Sequence, residues 1–172
     1  MISDDKIKLR APEPDDIDCM YIWENDPVIW ADGALRAPMS RKMLSDFVNY
    51  YNPDPASAGQ LRLIIEDTSN GMAIGCIDLY EYDSVNRRAG VGVVISREHQ
   101  SKGFATRALN LMCNYCQVAL GLHQLWAIIS RTNYASLKLF SKCDFETCGN
   151  LRSWIRNGTS YTDALIMQRL LV

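Results

Sequence analysis

A strand-like run, Val91 to Ser96, is followed within a few residues by the turn Gln100-Ser101-Lys102-Gly103-Phe104-Ala105 and then by helical periodicity from Thr106. A strand that ends, a short turn and a helix that begins bring several backbone N–H groups and the positive helix end to one point. That construction is an anion site. Gly103 lets the main chain approach a phosphate with no Cβ in the way, and Ala105 is small for the same reason. Lys102 and Arg107 can add charge at the rim. Any strand-to-helix connection can use a glycine, so the turn acquires meaning only from what surrounds it.

Other residues with chemical potential are fewer. Glu81 and Asp83 close a strand and could line a cleft, although any turn there would favour polar residues. His99, just ahead of the turn, is expected to be exposed rather than catalytic. Cys113 and Cys116 form a C-x-x-C that could be combined with Cys143 and Cys148 into a zinc site. Residues 106 to 120 read as a helix interior, however, whereas structural zinc sites present that pair on a turn. Core packing is the better account of the thiols, and no metal site is expected.

The elements around the turn follow from periodicity. Lys6 to Arg10 alternates like a half-buried strand, and Pro14-Asp15-Asp16 starts a helix that Pro27 ends. Residues 28 to 39 show no clear period, and Ser40 can cap a second helix carrying Leu44, Phe47 and Val48 on one face. Asn52 to Gly59 reads as a loop. An antiparallel meander follows: Leu61 to Glu66, Met72 to Tyr82 and Arg88 to Ser96, with Asn70-Gly71 and Asp83 to Arg87 as turns. Gly92 leaves space on one face of the third strand for a ligand or a bulge. Thr106 to Leu120 is a helix stopped by Gly121, Gln124 to Ser130 a strand, Asn133 to Lys142 a helix, and Asn157-Gly158 joins two last strands. The sum is an α/β chain, residues 1–172 in a single domain, with a mixed, mostly antiparallel sheet of about seven strands and about four helices.

With 172 residues, 48% of them apolar and 22% charged, the chain can bury about 70% of its unfolded surface without disulfide or metal staples. A net charge of −2 exerts no overall pull on nucleic acid or an acidic bilayer. No run approaches the ~18 apolar residues of a membrane span, and the N-terminus lacks the layout of a signal peptide. The chain reads as cytoplasmic, with its six cysteines reduced.

The whole string Q-S-K-G-F-A fits the Q/R-x-x-G-x-G/A signature of the GNAT superfamily of N-acetyltransferases. Downstream, Asn133-Tyr134-Ala135-Ser136-Leu137-Lys138-Leu139-Phe140-Ser141-Lys142-Cys143-Asp144-Phe145 resembles that superfamily's N-x-x-A/S-x-x-L-Y-x-K-x-G-F stretch. Leu9 to Asp16 and Trp154-Ile155-Arg156-Asn157-Gly158 look like the branch that contains spermidine N-acetyltransferases and ribosomal-protein N-terminal acetyltransferases. The resemblance implies a GNAT-like fold and acetyl-CoA as co-substrate, lying where the strand Arg88 to Ser96 splays from the strand Gln124 to Ser130. It implies main-chain contacts from Val93, Val94 and Ile95 to the pantetheine arm. The pyrophosphate would sit at Gln100, Ser101, Lys102, Gly103, Phe104, Ala105 and Thr106. Asn133 would bond the pantetheine or the adjoining strand, cap the helix behind it, or do both. The acceptor would be a primary amine, either a polyamine-like small molecule or a protein N-terminus. Self-association into a homo-oligomer is left open.

An amine with a pKa near 10 is free base in about one molecule in a thousand at pH 7, so a base or a water chain must take its proton. Asp32 aligns with an acid that meets the polyamine in the spermidine enzymes, and Asp78 with another acid on a central strand. The ordinary reading of each is a solvated acid with no part in the reaction. Three positions depart from the pattern. Phe140 stands where the superfamily has a tyrosine whose hydroxyl protonates the leaving thiolate, Asp144 replaces a glycine, and Gly90 stands where relatives often carry a glutamate near the amine. Ser136, one turn before Phe140 on the same helix face, is the nearest replacement donor, and Tyr134 should point elsewhere. A Phe140→Tyr change would be expected to raise kcat. The competing reading is an acetyl-CoA-binding module with little or no turnover.

Overall fold

The computed structural model describes residues 2–28 and 37–171. Its strands are β1 (Ile2–Ser3), β2 (Ile7–Arg10), β3 (Leu61–Asp67), β4 (Met72–Asp83), β5 (Arg88–Ile95), β6 (Gln124–Ser130), β7 (Glu146–Asn157) and β8 (Ser160–Leu170). The described helices are α1 (Ile17–Glu24), α2 (Arg41–Asn49), α3 (Pro55–Ala58), α4 (Phe104–Val118) and α5 (Tyr134–Lys142), with 3-10 turns at Pro14–Asp16 and Arg97–His99. None of the described helices is long and apolar enough to cross a membrane.

All eight strands join one sheet in the order β1-β2-β3-β4-β5-β6-β8-β7. Neighbours run antiparallel except β5 and β6, which are parallel. This pair is joined by a long crossover that α4 supplies, as parallel pairing requires. The eighth strand, beyond the seven expected, is β1, whose two residues pair with Leu9 and Lys8. Two residues cannot display a period. The loop expected over 52–59 contains α3, where Asp54 accepts a hydrogen bond from the Ala56 N–H at 3.0 Å and Pro55 occupies the first turn.

The sheet is covered on both faces, which is why its central strands read as nearly continuous apolar runs. On one face α1 and α2 bury Met20, Trp23, Leu44 and Val48 against Ile64 and Cys76. On the other, Ala108, Leu109, Met112 and Cys116 of α4 and Phe140 of α5 pack on Ile77, Leu79, Val91 and Leu125. The helix starts were legible from their caps. Ser40 Oγ accepts from the Met43 N–H at 3.1 Å, and Asn133 Oδ1 from the Ser136 N–H at 3.0 Å. Cys76, Cys113, Cys116 and Cys143 are buried thiols, but Cys148 is exposed on β7, so core packing does not account for it. Among the described residues no cluster of ligands could hold a metal ion.

Candidate active site

The site begins with a failure of pairing. β5 and β6 share three rungs, Arg88 with Gln124, Ala89 with Leu125 and Gly90 with Trp126. Beyond them β5 continues to Ile95 bonded only to β4, and β6 continues to Ser130 bonded only to β8. A wedge therefore opens between the strands, closed at Gly90 and Trp126 and widening toward α4. Val93, Val94 and Ile95 lie along one side, and their inner backbone edges have no strand partner across the gap. Val93 packs toward α4 and Val94 toward α1 and α2, so their side chains serve the two cores while the main chain faces the wedge.

At the open end the chain wraps tightly. Ser101 and Gly103 both adopt left-handed backbone, with φ of +61° and +85°. Gln100 turns back so that its Nε2 donates to the Ile95 carbonyl at 3.0 Å, fixing the turn to the strand end. His99 is half-buried rather than exposed, its Nδ1 2.7 Å from Ser96 Oγ, and it pins the same turn. Gly103 is the N-cap of α4 and offers no side-chain cap, and no acidic residue sits in the first turn. The amides of Phe104, Ala105 and Thr106 thus stand at a positive helix end with no carboxylate of the helix's own first turn competing for them, as an incoming anion requires. Lys102 is exposed at this rim. Arg107 is not available there, because its Nη1 pairs with Asp4 and Asp5, each at 2.7 Å.

On the far side of the wedge, α5 carries the remaining expected residues. Asn133 caps the helix, Ser136 is half-buried one turn before Phe140, and Tyr134 is exposed. Phe140 is only 3% exposed and stands edge-on to Phe145, ring centroids 4.9 Å apart. Asp144 takes the glycine position with a left-handed φ of +61°, a conformation that Asp tolerates better than most residues.

The acids divide sharply. Asp32 lies outside the described residues. Asp78 is held bidentately by Arg62, whose Nε and Nη2 donate at 2.7 and 2.8 Å, and the same guanidinium reaches Glu24 of α1. Burial alone would lower the Arg62 pKa, but Asp78 and Glu24 outweigh it and the group stays firmly charged. Asp78 is therefore committed to a structural pair. Glu81 and Asp83 do line a cleft of about 570 Å³, together with Arg88, Trp126 and Cys148. Glu81 is exposed at a bulge in β4 with φ of +48°. Asp83 is partly neutralised by Arg88 at 3.2 Å.

One central residue escaped the sequence reading. Tyr80 of β4 pairs with Gly90, and a Cβ at Gly90 would meet the Tyr80 ring at 2.2 Å. Gly90 is thus where the ring lies, a cross-strand partnership of glycine and aromatic. The ring also stands edge-on to Trp126 at 5.3 Å, so it spans the last rung of the wedge, and Trp126 in turn lines the acidic cleft. The signal was present in the meander: with its turn at 83–87, Gly90 falls opposite Tyr80.

Residues 6–146 match the family described as acetyltransferase (GNAT) domain. The chain is 28% identical over 170 residues to the spermidine N(1)-acetyltransferase of Escherichia coli K12, covering 97% of this chain and 87% of that one. The spermidine N(1)-acetyltransferase of Vibrio cholerae is 27% identical over 146 residues, covering 85% and 82%. Among solved structures, a Vibrio cholerae spermidine N-acetyltransferase in complex with CoA and spermine superposes with a TM-score of 0.87 at 25% identity, over 98% of this chain and 97% of that one. With the wedge, the uncapped helix end and the family match in agreement, the chain belongs to the GNAT acetyltransferases, transferring an acetyl group from acetyl-CoA to a primary amine.

Proposed function

We propose that the acceptor is a small polyamine-like cation rather than a protein N-terminus. The observation that carries this reading is the cleft at the closed end of the wedge, which Glu81 and Asp83 line together with Trp126. A flexible chain of methylenes and ammonium groups matches acids set beside an aromatic ring. Relatives that act on spermidine support the same choice, and nothing in the comparisons supports a binding module without turnover.

In this reading acetyl-CoA lies along the wedge. Its pyrophosphate rests on the turn 100–103 and the amides of Phe104, Ala105 and Thr106, and its arm follows the free edge of Val93, Val94 and Ile95. Asn133 and Phe140 border the arm from α5. A β5 amide facing the thioester oxygen stabilises the oxyanion as the neutral amine attacks. The amine's proton leaves toward the cleft mouth, since Asp78 is engaged by Arg62. Asp32, aligned with a polyamine-contacting acid, holds a second ammonium group, so Asp32→Asn should raise the KM for the amine several-fold and leave that for acetyl-CoA unchanged.

The test is thiol release with a panel of polyamines, aminoglycosides, amino acids and N-terminal peptides. Polyamines should give the highest kcat/KM, and a peptide preferred over every polyamine would reverse the choice. A homo-oligomer is also proposed. Trp154 and Tyr161 of the β7–β8 hairpin are 56% and 61% exposed, and the Vibrio cholerae spermidine enzyme has a dodecameric structure. Light scattering measures this directly. A cytoplasmic location, where six unpaired cysteines stay reduced, completes the proposal.

A further inference from the structure

Phe140 leaves the reaction without the hydroxyl that the superfamily pattern supplies at that position. We propose that Tyr80 is a catalytic residue: its hydroxyl, carried by β4 across the closed end of the wedge, donates its proton to the departing CoA sulfur. The inference rests on acetyl-CoA lying in the wedge.

The geometry orders the two ends of the cofactor. Its anionic end belongs at the N-terminus of α4, beyond Ile95, and its arm then runs back along β5 toward Gly90. Gly90 to Ile95 spans about 17 Å at strand rise, so the reactive end reaches the vertex where β5 and β6 close. Tyr80 is the group that crosses this vertex. Its ring covers Gly90, with Cζ 2.5 Å from where a Cβ would stand, passes Gly92 and abuts Trp126. The backbone of Ile128, two residues past the last rung on β6, lies beside the hydroxyl oxygen. Were this oxygen to accept the Ile128 N–H, its own proton would stay free to donate into the wedge.

Burial, reinforced by the charge of Glu81, pushes the Tyr80 phenol up to about 12. The group stays protonated wherever the amine reacts, so it acts as a donor and never as the resting base. The step balances as a relay. The amine nitrogen bonds to the thioester carbon, the C–S bond breaks with its electron pair going to sulfur, and the Tyr80 proton moves to that sulfur. The new amide nitrogen, positively charged until it loses a proton, returns one to the phenolate. The products are the N-acetyl amine and the CoA thiol, with Tyr80 restored. Ser136 is the competing donor, placed on α5 beside Phe140.

The test compares Tyr80→Phe, Phe140→Tyr and the double variant by steady-state kinetics with the best amine, with acetyl-CoA affinity measured by calorimetry. Tyr80→Phe keeps the ring over Gly90 and so keeps the fold. Its kcat should fall about 10- to 100-fold, within the range of a general acid acting on an already tolerable thiolate leaving group, while acetyl-CoA affinity stays within two-fold. Phe140→Tyr should add less than three-fold to the wild type, yet restore at least ten-fold in the Tyr80→Phe background, a rescue that a packing role for Tyr80 would not show. Unchanged kcat in Tyr80→Phe, or an equal gain from Phe140→Tyr in both backgrounds, would overturn the assignment alone. A folded wild type that binds no acetyl-CoA would overturn the cofactor placement and the proposal with it.

Discussion

At Gly103 a side chain would meet nothing within 4 Å, so sterics alone do not demand glycine. The demand comes from φ of +85°, which costs other residues about 1–2 kcal/mol, and, in the proposed placement of acetyl-CoA, from the phosphate that bare backbone would admit. Gly103→Ala should therefore fold with a modest loss of stability, whereas Gly103→Glu should fold comparably and lose acetyl-CoA binding through charge repulsion at the anion site. Calorimetry on the folded variant checks this, and undiminished affinity would remove the pyrophosphate from this turn. Gly90 is glycine for the opposite reason. Its backbone is ordinary strand, but the Tyr80 ring occupies the place of its Cβ. One glycine serves a conformation and the other serves a neighbour.

Between elements, the guanidinium of Arg62 ties β3 to β4 through Asp78 and to α1 through Glu24. Arg62 and Asp78 keep 20% and 27% side-chain exposure, so solvent screens the pair in part. Asp78→Asn should cost about 1–3 kcal/mol in urea unfolding, the range of losing charged hydrogen bonds to a largely buried partner. Its effect on the KM for the amine should be small. A large rise in that KM with unchanged stability would instead make Asp78 an acceptor-binding acid. The register that places Asp78 opposite Gly92 and Tyr80 opposite Gly90 also keeps both side chains on the face of α1 and α2. A one-residue slip would send the hydroxyl into the α4 core, and the wedge would lose the group that crosses it.

For the molecule as a whole, the clearest pH signature lies on the alkaline side. Burial pushes Tyr51 and Tyr80 each up to about 12, and the Tyr51 hydroxyl donates to the Arg62 carbonyl at 2.7 Å. Both folded values exceed the unfolded value near 10, so their contribution is complete below pH 10 and is lost between about pH 10 and 12. Urea midpoints should fall across that window, and less steeply in Tyr80→Phe; parallel profiles would show that Tyr80 ionises as freely folded as unfolded. Much of this architecture could be read from the chain. The glycine turn ahead of α4, the Ser40 and Asn133 caps, the meander and the crossover helix are local matters, decided by spacing, turn residues and caps within a few positions. The C-x-x-C was correctly placed inside a helix on the same grounds. What the tertiary structure decided were relations across the sheet. Arg107 faces Asp4 and Asp5 instead of the anion rim, Asp78 is taken up by Arg62, and Tyr80 spans the vertex beside Trp126. Local periodicity says which face of its own strand or helix a side chain occupies, whereas which distant groups meet on that face depends on register, strand order and the point where two strands cease to pair.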